Sequence, residues 1–417
     1  MEVCVYEHVS GGGYAGQKLP VWGLAEGYSM LRTLLEDFKR LGCRVSTLLD
    51  ERVKAEGLKA DVVKPVKSSL EVEALLEDLA SRADATLIVA PEQGEVLSKL
   101  IRLAEKHGST VLNCPSSFFK RFPGKAETLE ALKVAGVRTP ETLVLNHSEA
   151  LASHKRWEGF PALVKPSLGA GCLGLRLAWN QSQLEEAVKY AWKASPSKIL
   201  IQRLIKGLHG SLCLLANGFQ VEVLSLNLQI LCFSREPGDV RYLGGLTPLR
   251  LENRAVVVSE ALKAVEALAS NLKGFLGVDF VLAEGEPWII EVNPRLTTSY
   301  IGLRKTLKEN PAKILLEACL DGKLPRSLKA EGFSAYLKTE LLNPPRNLEY
   351  YSPINGEGMA VLWDESLESL ILKVKTLKDG SFHGSIEKVK AEKSKVQVYK
   401  AEKEDHKQPR SGQIRLR

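Results

Sequence analysis

Glu291-Val292-Asn293-Pro294-Arg295 closes an apolar run that begins at Trp288. In a strand, side chains alternate between faces, so Glu291 and Asn293 share one face and Ile290 and Val292 take the other. Two hard oxygen donors then stand together with a fixed cation just beyond. That set suits Mg²⁺ held with a nucleotide's phosphates. A solvated strand end before a proline turn fits the same residues. Asp279 precedes Glu291 across a turn at Glu284-Gly285-Glu286-Pro287. A three-residue loop sets Asp279 directly opposite Glu291, whereas a four-residue loop turns it away. The register stays open at this level.

A second set starts at Lys165, at the end of an apolar run, with Gly169, Gly171 and Gly174 close behind. An ammonium supplies charge, and glycines let backbone N–H groups approach phosphate oxygens. Gly-Lys-Ser/Thr is absent, so this is not the Walker pattern. A glycine-rich hairpin turn with a surface lysine is the plain alternative. Cys172 inside this loop reads as a small space-filling residue.

Such groups need rigid elements to hold them. Residues 1 to about 118 alternate short apolar runs with helical patterns. Strands are expected at Val3–Tyr6, Arg44–Leu49, Ala85–Ala90 and Val111–Asn113, and helices over Leu24–Leu41, Leu70–Ser81 and Gly94–His107. This alternation predicts an α/β, doubly wound parallel sheet. Ser10-Gly11-Gly12-Gly13 follows the first strand and reads as a flexible loop lining a substrate site, not as a dinucleotide fingerprint.

Beyond residue 118 the pattern becomes α+β. A helix over Lys125–Ala135 is closed by Gly136. Strands follow at Pro161–Pro166, Leu175–Ala178, Ile199–Gln202 and Ser211–Leu215, with a helix over Gln183–Lys193. A Gly/Pro-rich loop is expected at 236–248, a helix from about 258 to 273, a hairpin of Gly277–Ala283 with Trp288–Val292, and a helix over Asn310–Asp321. Short strands after Pro325 predict a small C-terminal module. The expected divisions are 1–118, 119–205, 206–330 and 331–417.

Composition narrows the function classes. The 417 residues call for two to four domains, and 44% hydrophobic with 26% charged residues is a globular balance. No apolar run reaches the roughly 18 residues of a membrane span. The N-terminus lacks the basic segment of a signal peptide. Seven scattered cysteines without a Cys-x-x-Cys pair argue for reduced, cytoplasmic thiols. Ten of the Lys/Arg residues, against four acids, fall in Lys388–Arg417. Tyr399 is the one aromatic in that basic tail, and no nucleic-acid partner is expected from it.

Lys125, Lys165 with its glycine loop, an apolar hinge at 199–207, then Asp279 and Glu291-x-Asn293 occur in the order that resembles the ATP-grasp superfamily of carboxylate–amine ligases. The resemblance implies an N-terminal Rossmann-like domain followed by a two-lobed ATP-grasp domain. It implies ATP and Mg²⁺ (or Mn²⁺) as cofactors. Lys125 and Lys165 match the phosphate-contacting lysines, and Gly169 to Gly174 the loop over them. Gln202, Leu204 and Ile205 match the adenine hinge. Asp279, Glu291 and Asn293 match the metal ligands, and Arg295 the cation facing the transferred group. His209 stands where a ribose-binding acid is common, and Arg203 is likewise a departure.

Tyr6-Glu7-His8-Val9-Ser10-Gly11-Gly12-Gly13, Asn227-Leu228-Gln229, Tyr242-Leu243-Gly244-Gly245 and Thr297-Thr298-Ser299-Tyr300 resemble a narrower family, the tyramine–L-glutamate ligases of methanofuran biosynthesis. This implies small-molecule partners, a carboxylate and an amine. Asn227, Gln229, Tyr242, Gly244, Thr298 and Tyr300 become candidate substrate residues. A homodimer is compatible with the resemblance. A ligase joining two amino acids, as in pyrrolysine assembly, and a regulatory protein with a decayed nucleotide site are the competing readings.

Overall fold

The computed structural model describes residues 1–92, 95–146, 157–234, 238–268, 271–354, 356–377 and 414–415. The basic tail therefore lies almost wholly outside the described residues, as does the start of the helix expected at Gly94. Five strands, β1 (Glu2–Glu7), β2 (Arg44–Asp50), β3 (Val62–Val66), β4 (Ala85–Val89) and β5 (Thr110–Val111), form one parallel sheet in the order β3-β2-β1-β4-β5. Strand β3 is absent from the expectations above. Lys64 and Pro65 interrupt its apolar run, which an edge strand tolerates because one side of its ladder is unpaired. The sheet order reverses between β1 and β4, so their carboxyl ends open a crevice.

A second sheet is formed by β6 (Thr142–Leu145), β7 (Ala162–Pro166), β8 (Arg176–Ala178) and β9 (Ile199–Arg203), in the order β6-β9-β7-β8. The large sheet is antiparallel and contains β10 (Leu208–Asn217), β11 (Gln220–Phe233), β12 (Val240–Thr247), β13 (Lys273–Ala283), β14 (Glu286–Asn293), β15 (Phe333–Glu340), β16 (Glu349–Tyr351) and β17 (Glu357–Asp364). Its order is β14-β13-β10-β11-β12-β15-β17-β16. The strands after residue 330 thus continue this sheet through the pairing of β12 with β15.

Two expectations fail in this region. Residues 240–247 are a strand, not a loop. Gly244 and Gly245 carry no β preference, but both are needed: a Cβ on Gly244 would lie 2.0 Å from the Tyr336 carbonyl oxygen, and one on Gly245 2.3 Å from the Tyr336 hydroxyl. Glycine inside a strand marks such close approaches. The helix expected over 258–273 runs Arg254–Ala267, and Lys273 already begins β13. The alternating Val/Leu content of both elements hides the boundary.

One core joins the parallel sheet to the large sheet. Tyr6, Leu97 and Phe118 pack in the same buried cluster as Leu212, Phe280 and Val292. On the other side, the helix Val21–Arg40 packs with the helices Tyr300–Thr306 and Pro311–Leu320. The crevice at β1 and β4 consequently faces the end of β13–β14.

Candidate active site

The β13–β14 hairpin has a two-residue turn, Glu284-Gly285, with φ of 52° and 83°. Both values suit a type I′ turn, which glycine adopts without strain. Ala283 pairs with Glu286, so regular pairing would set Asp279 opposite Ile290. Instead a β-bulge at Ile290 lets Phe280 pair with Ile289 and Asp279 with Glu291. The turn is shorter than either loop considered from the sequence, and the bulge restores the opposition of the two acids. It also corrects one expectation: Ile290 lines the cleft with Glu291 and Asn293, while Ile289 and Val292 enter the core. An extra residue makes two neighbours face the same partner.

Oxygen donors and cations meet at this corner. Asn293 Nδ2 donates to Asp279 Oδ2 at 3.2 Å, and Gln229 Nε2 to Asp279 Oδ1 at 2.9 Å. Lys125 Nζ lies 3.4 Å from one Glu291 oxygen and Lys165 Nζ 3.8 Å from the other. Lys125 Nζ also donates to the Gly169 carbonyl at 2.5 Å, tying the first lysine to the glycine loop. Arg295 Nη2 donates to Asn293 Oδ1 at 3.3 Å. Burial, then the Glu291 charge, pushes the Asp279 carboxyl up to about 7. Burial also acts to raise Glu291, but Lys125, Lys165 and Arg295 outweigh it and hold that carboxyl below its ordinary value. Burial lowers the Lys165 ammonium, against the pull of Glu291.

Among the described residues no three His, Cys, Asp or Glu side chains gather as a metal cluster. Asp279, Glu291 and the Asn293 amide make a partial shell of oxygen donors. This fits Mg²⁺, which binds few protein carboxylates and completes its shell with water and phosphate oxygens.

The remaining walls come from three other regions. Gly169 and Gly171, in the β7–β8 hairpin, line the cleft; Gly174 does not, since its φ of 73° serves the hairpin base, packed against Ala194 and Pro166. Gln202, Leu204, Ile205 and His209 line the opposite side, where the His209 ring lies 5.5 Å from that of Phe233. Arg203 turns to an ion pair with Glu141 at 2.6 Å. From the parallel sheet, Glu7 ends β1 and Pro91 follows β4, both at the crevice. The triple-glycine run is not a flexible rim. Gly11 and Gly12 are buried against Glu7 and Val66, and the loop hangs on Glu7, whose carboxylate accepts from Val9 N and from Ser10 N and Oγ.

Of the six candidate substrate residues, Gln229, Tyr242 and Thr298 line the cleft. The other three do not. Asn227 is fully buried, bonded to Ser211, Ser225 and Thr247. Gly244 packs on the Tyr336 backbone. Tyr300 is fully buried and donates to Asp37 at 2.8 Å. Each is a close chain neighbour of a cleft residue, and position in the sequence alone does not separate the two sets. Sequence reasoning assigns no role to four charged groups at or beside the cleft, Glu7, Glu26, Glu92 and Lys338, although Glu7 and Glu26 fall in runs that carry the narrower resemblance. Glu92 approaches Arg295 Nε at 3.3 Å. Glu7 and Glu92 lie at the carboxyl ends of the strands flanking the sheet reversal, a signal available once the strand order is known.

Comparison with known proteins decides the family. Residues 123–299 match the ATP-grasp domain, and residues 43–117 match the pre ATP-grasp 3 domain. The chain is an ATP-grasp protein. It stands with the ADP-forming ligases that share this fold. The tyramine–L-glutamate ligase of Methanocaldococcus jannaschii is 28% identical over 341 residues, covering 80% of this chain and 94% of that protein. Among solved structures, biotin carboxylase of Campylobacter jejuni superposes with a TM-score of 0.70 at 17% identity, covering 90% of both chains. The L-amino acid ligase of Bacillus licheniformis superposes at 0.67 and 16% identity, covering 91% of this chain and 97% of that one. These structural likenesses are of fold alone and span about nine tenths of this chain. No helix among the described residues is long and apolar enough to cross a membrane.

Proposed function

We propose that this ATP-grasp protein forms an amide bond between a carboxylate and an amine, with L-glutamate and tyramine as its substrates in a methanofuran-type pathway. The single observation that carries the ligase reading is the convergence of Asp279, Glu291 and Asn293 with Lys125, Lys165 and Arg295 in one cleft. The finer substrate choice is supported by the 28% identity to the tyramine–L-glutamate ligase over most of both chains.

In this reading a substrate carboxylate oxygen attacks the γ-phosphorus of ATP, and the bond to the ADP oxygen breaks. The amine nitrogen then attacks the acyl carbon, inorganic phosphate leaves, and the nitrogen sheds a proton to solvent. Mg²⁺ held by Asp279, Glu291 and Asn293 would neutralise phosphate charge as it shifts toward ADP. Lys125 and Lys165 flank the same phosphates, and Arg295 faces the transferred group. Gly169 and Gly171 approach the phosphates with backbone N–H groups, and the loop screens the acyl phosphate from water. Gln202, Leu204 and Ile205 receive the base, with Ile290 and Phe233 as apolar walls. His209 stands beside Phe233 where the ribose edge would reach. Boundaries near 118, 205 and 330 separate the N-terminal domain, the two lobes and the C-terminal module.

The test is ADP release by the full chain with MgATP, L-glutamate and tyramine, with mass detection of γ-glutamyltyramine. A product of that mass, dependent on both substrates, is expected. ADP release with other amine–carboxylate pairs but not with this one would remove the substrate assignment and keep the ligase.

A further inference from the structure

The cleft has a second charged end, away from the metal corner. Glu26, on the helix Val21–Arg40, is 8% exposed and faces the cleft. Its Oε2 accepts from Thr298 Oγ1 at 2.6 Å. Its Oε1 is buried and forms an ion pair with Lys338 Nζ. Lys338 comes from β15 and lies 5.5 Å from the Tyr242 ring centroid. The glycine loop spans both ends: Cys172 lines the same cleft as Glu26, Asp279 and Glu291. The space between belongs to one cavity of about 280 Å³.

We propose that Glu26 and Lys338 form a subsite for the zwitterionic head of an α-amino acid, with Thr298 and Tyr242 as its walls. The inference rests on the ligase reading and deepens it by assigning the residues that choose the substrate. An α-amino acid presents an ammonium and a carboxylate on one carbon. A side-by-side carboxylate and ammonium in the protein match that pair in reverse, so the head group replaces the internal ion pair charge for charge. A buried ion pair contributes little to stability on its own, because desolvation offsets the attraction. Here the pair stands at the cavity wall, where a substrate's ammonium can take the place of Lys338 on the Glu26 carboxylate. The four residues come from a helix, the turn after β14 and the strands β12 and β15, and Asp279 and Glu291 lie across the same cavity. A substrate held here by its head extends its side-chain carboxylate toward the phosphates.

The test uses calorimetry on the full chain with MgADP present. L-Glutamate is compared with glutarate, which lacks the ammonium, and with 4-aminobutyrate, which lacks the α-carboxylate. The native protein should bind L-glutamate at least about tenfold more tightly than either, the size of one charge-assisted contact. Glu26→Gln should erase the preference over glutarate, and Lys338→Met the preference over 4-aminobutyrate. The swapped pair Glu26→Lys/Lys338→Glu keeps an ion pair while reversing its sense. It should regain the native melting temperature yet not L-glutamate binding. Recovery of both by the swap would make the pair purely structural and overturn the proposal. So would unchanged preferences in the single variants, or no α-amino acid bound by a protein that binds MgADP. Failure of the native chain to bind MgADP would instead fall on the ligase reading and take this inference with it.

Discussion

At the residue scale, two acids are held at one corner although they repel each other. The Asp279 carboxyl is pushed up to about 7 from an ordinary 3.8, chiefly by burial and then by Glu291. A raised carboxyl pKa means the folded state favours the protonated form. Its contribution to stability is full below about pH 4 and is lost as pH rises through about 7. Without metal or nucleotide, the chain should therefore become less stable between those limits, and Asp279→Asn should flatten that fall. The same variant should lower turnover by about a hundredfold or more, since a group placed at developing phosphate charge is lost. Urea unfolding across pH and ADP release together check this. Native turnover in the Asp279→Asn variant would remove Asp279 from the site. Stability and activity moving in opposite directions is the mark of a strained functional group.

At the element scale, the outcome turns on residues that break a strand's regular pattern. Gly244 has a φ of 134°, and a Cβ there would fall 2.0 Å from the Tyr336 carbonyl. Gly244→Ala should cost about 2–4 kcal/mol, because both strain and a backbone clash must be relieved. It should also weaken substrate binding, since β12 carries Tyr242 and its neighbour β15 carries Lys338. Thermal melts and substrate KM values measure the two effects. The strands built from apolar runs, such as β1, β2, β4 and β14, are legible from sequence, and so are Glu291 and Asn293, placed on one face by alternation, and Lys165, placed at a strand end before a glycine loop. Strands β3 and β12 are not, because Pro65 and the Gly244-Gly245 pair reflect what lies next to them in space. The facing of Ile290 is hidden for a similar reason: a bulge is a property of a pair of strands, and one strand's letters do not encode it. No local spacing links Glu26, Glu92 and Lys338, which come from a helix, the segment after β4 and β15.

At the scale of the whole molecule, the cleft exists only because the N-terminal sheet and the large sheet are held at a fixed spacing, and one buried cluster does much of that holding. Arg304, with its side chain 1% exposed, donates from Nε and Nη2 to the two oxygens of Asp37 at 2.8 and 2.7 Å. Tyr300 donates to the same carboxylate, and Asn310 to the Asp37 backbone. Asp37 shares its helix with Glu26, and Tyr300 closely follows Thr298 in the chain, so the clamp joins the two segments that also meet at the 2.6 Å Glu26–Thr298 contact. Arg304→Met leaves a buried carboxylate without its bidentate partner and should cost about 3–5 kcal/mol. Asp37→Asn/Arg304→Met removes both charges, keeps an acceptor for Tyr300, and should recover part of that loss. If the clamp acts only through stability, the double variant regains native kinetics along with its melting temperature. If it also sets the spacing of the two sheets, KM for the amino acid stays raised while KM for ATP returns, because the lysines and acids of the nucleotide end do not hang on this helix. Steady-state KM values for both substrates separate the outcomes. A raised KM for ATP alone would place the clamp's influence at the wrong end of the cleft and sink the idea.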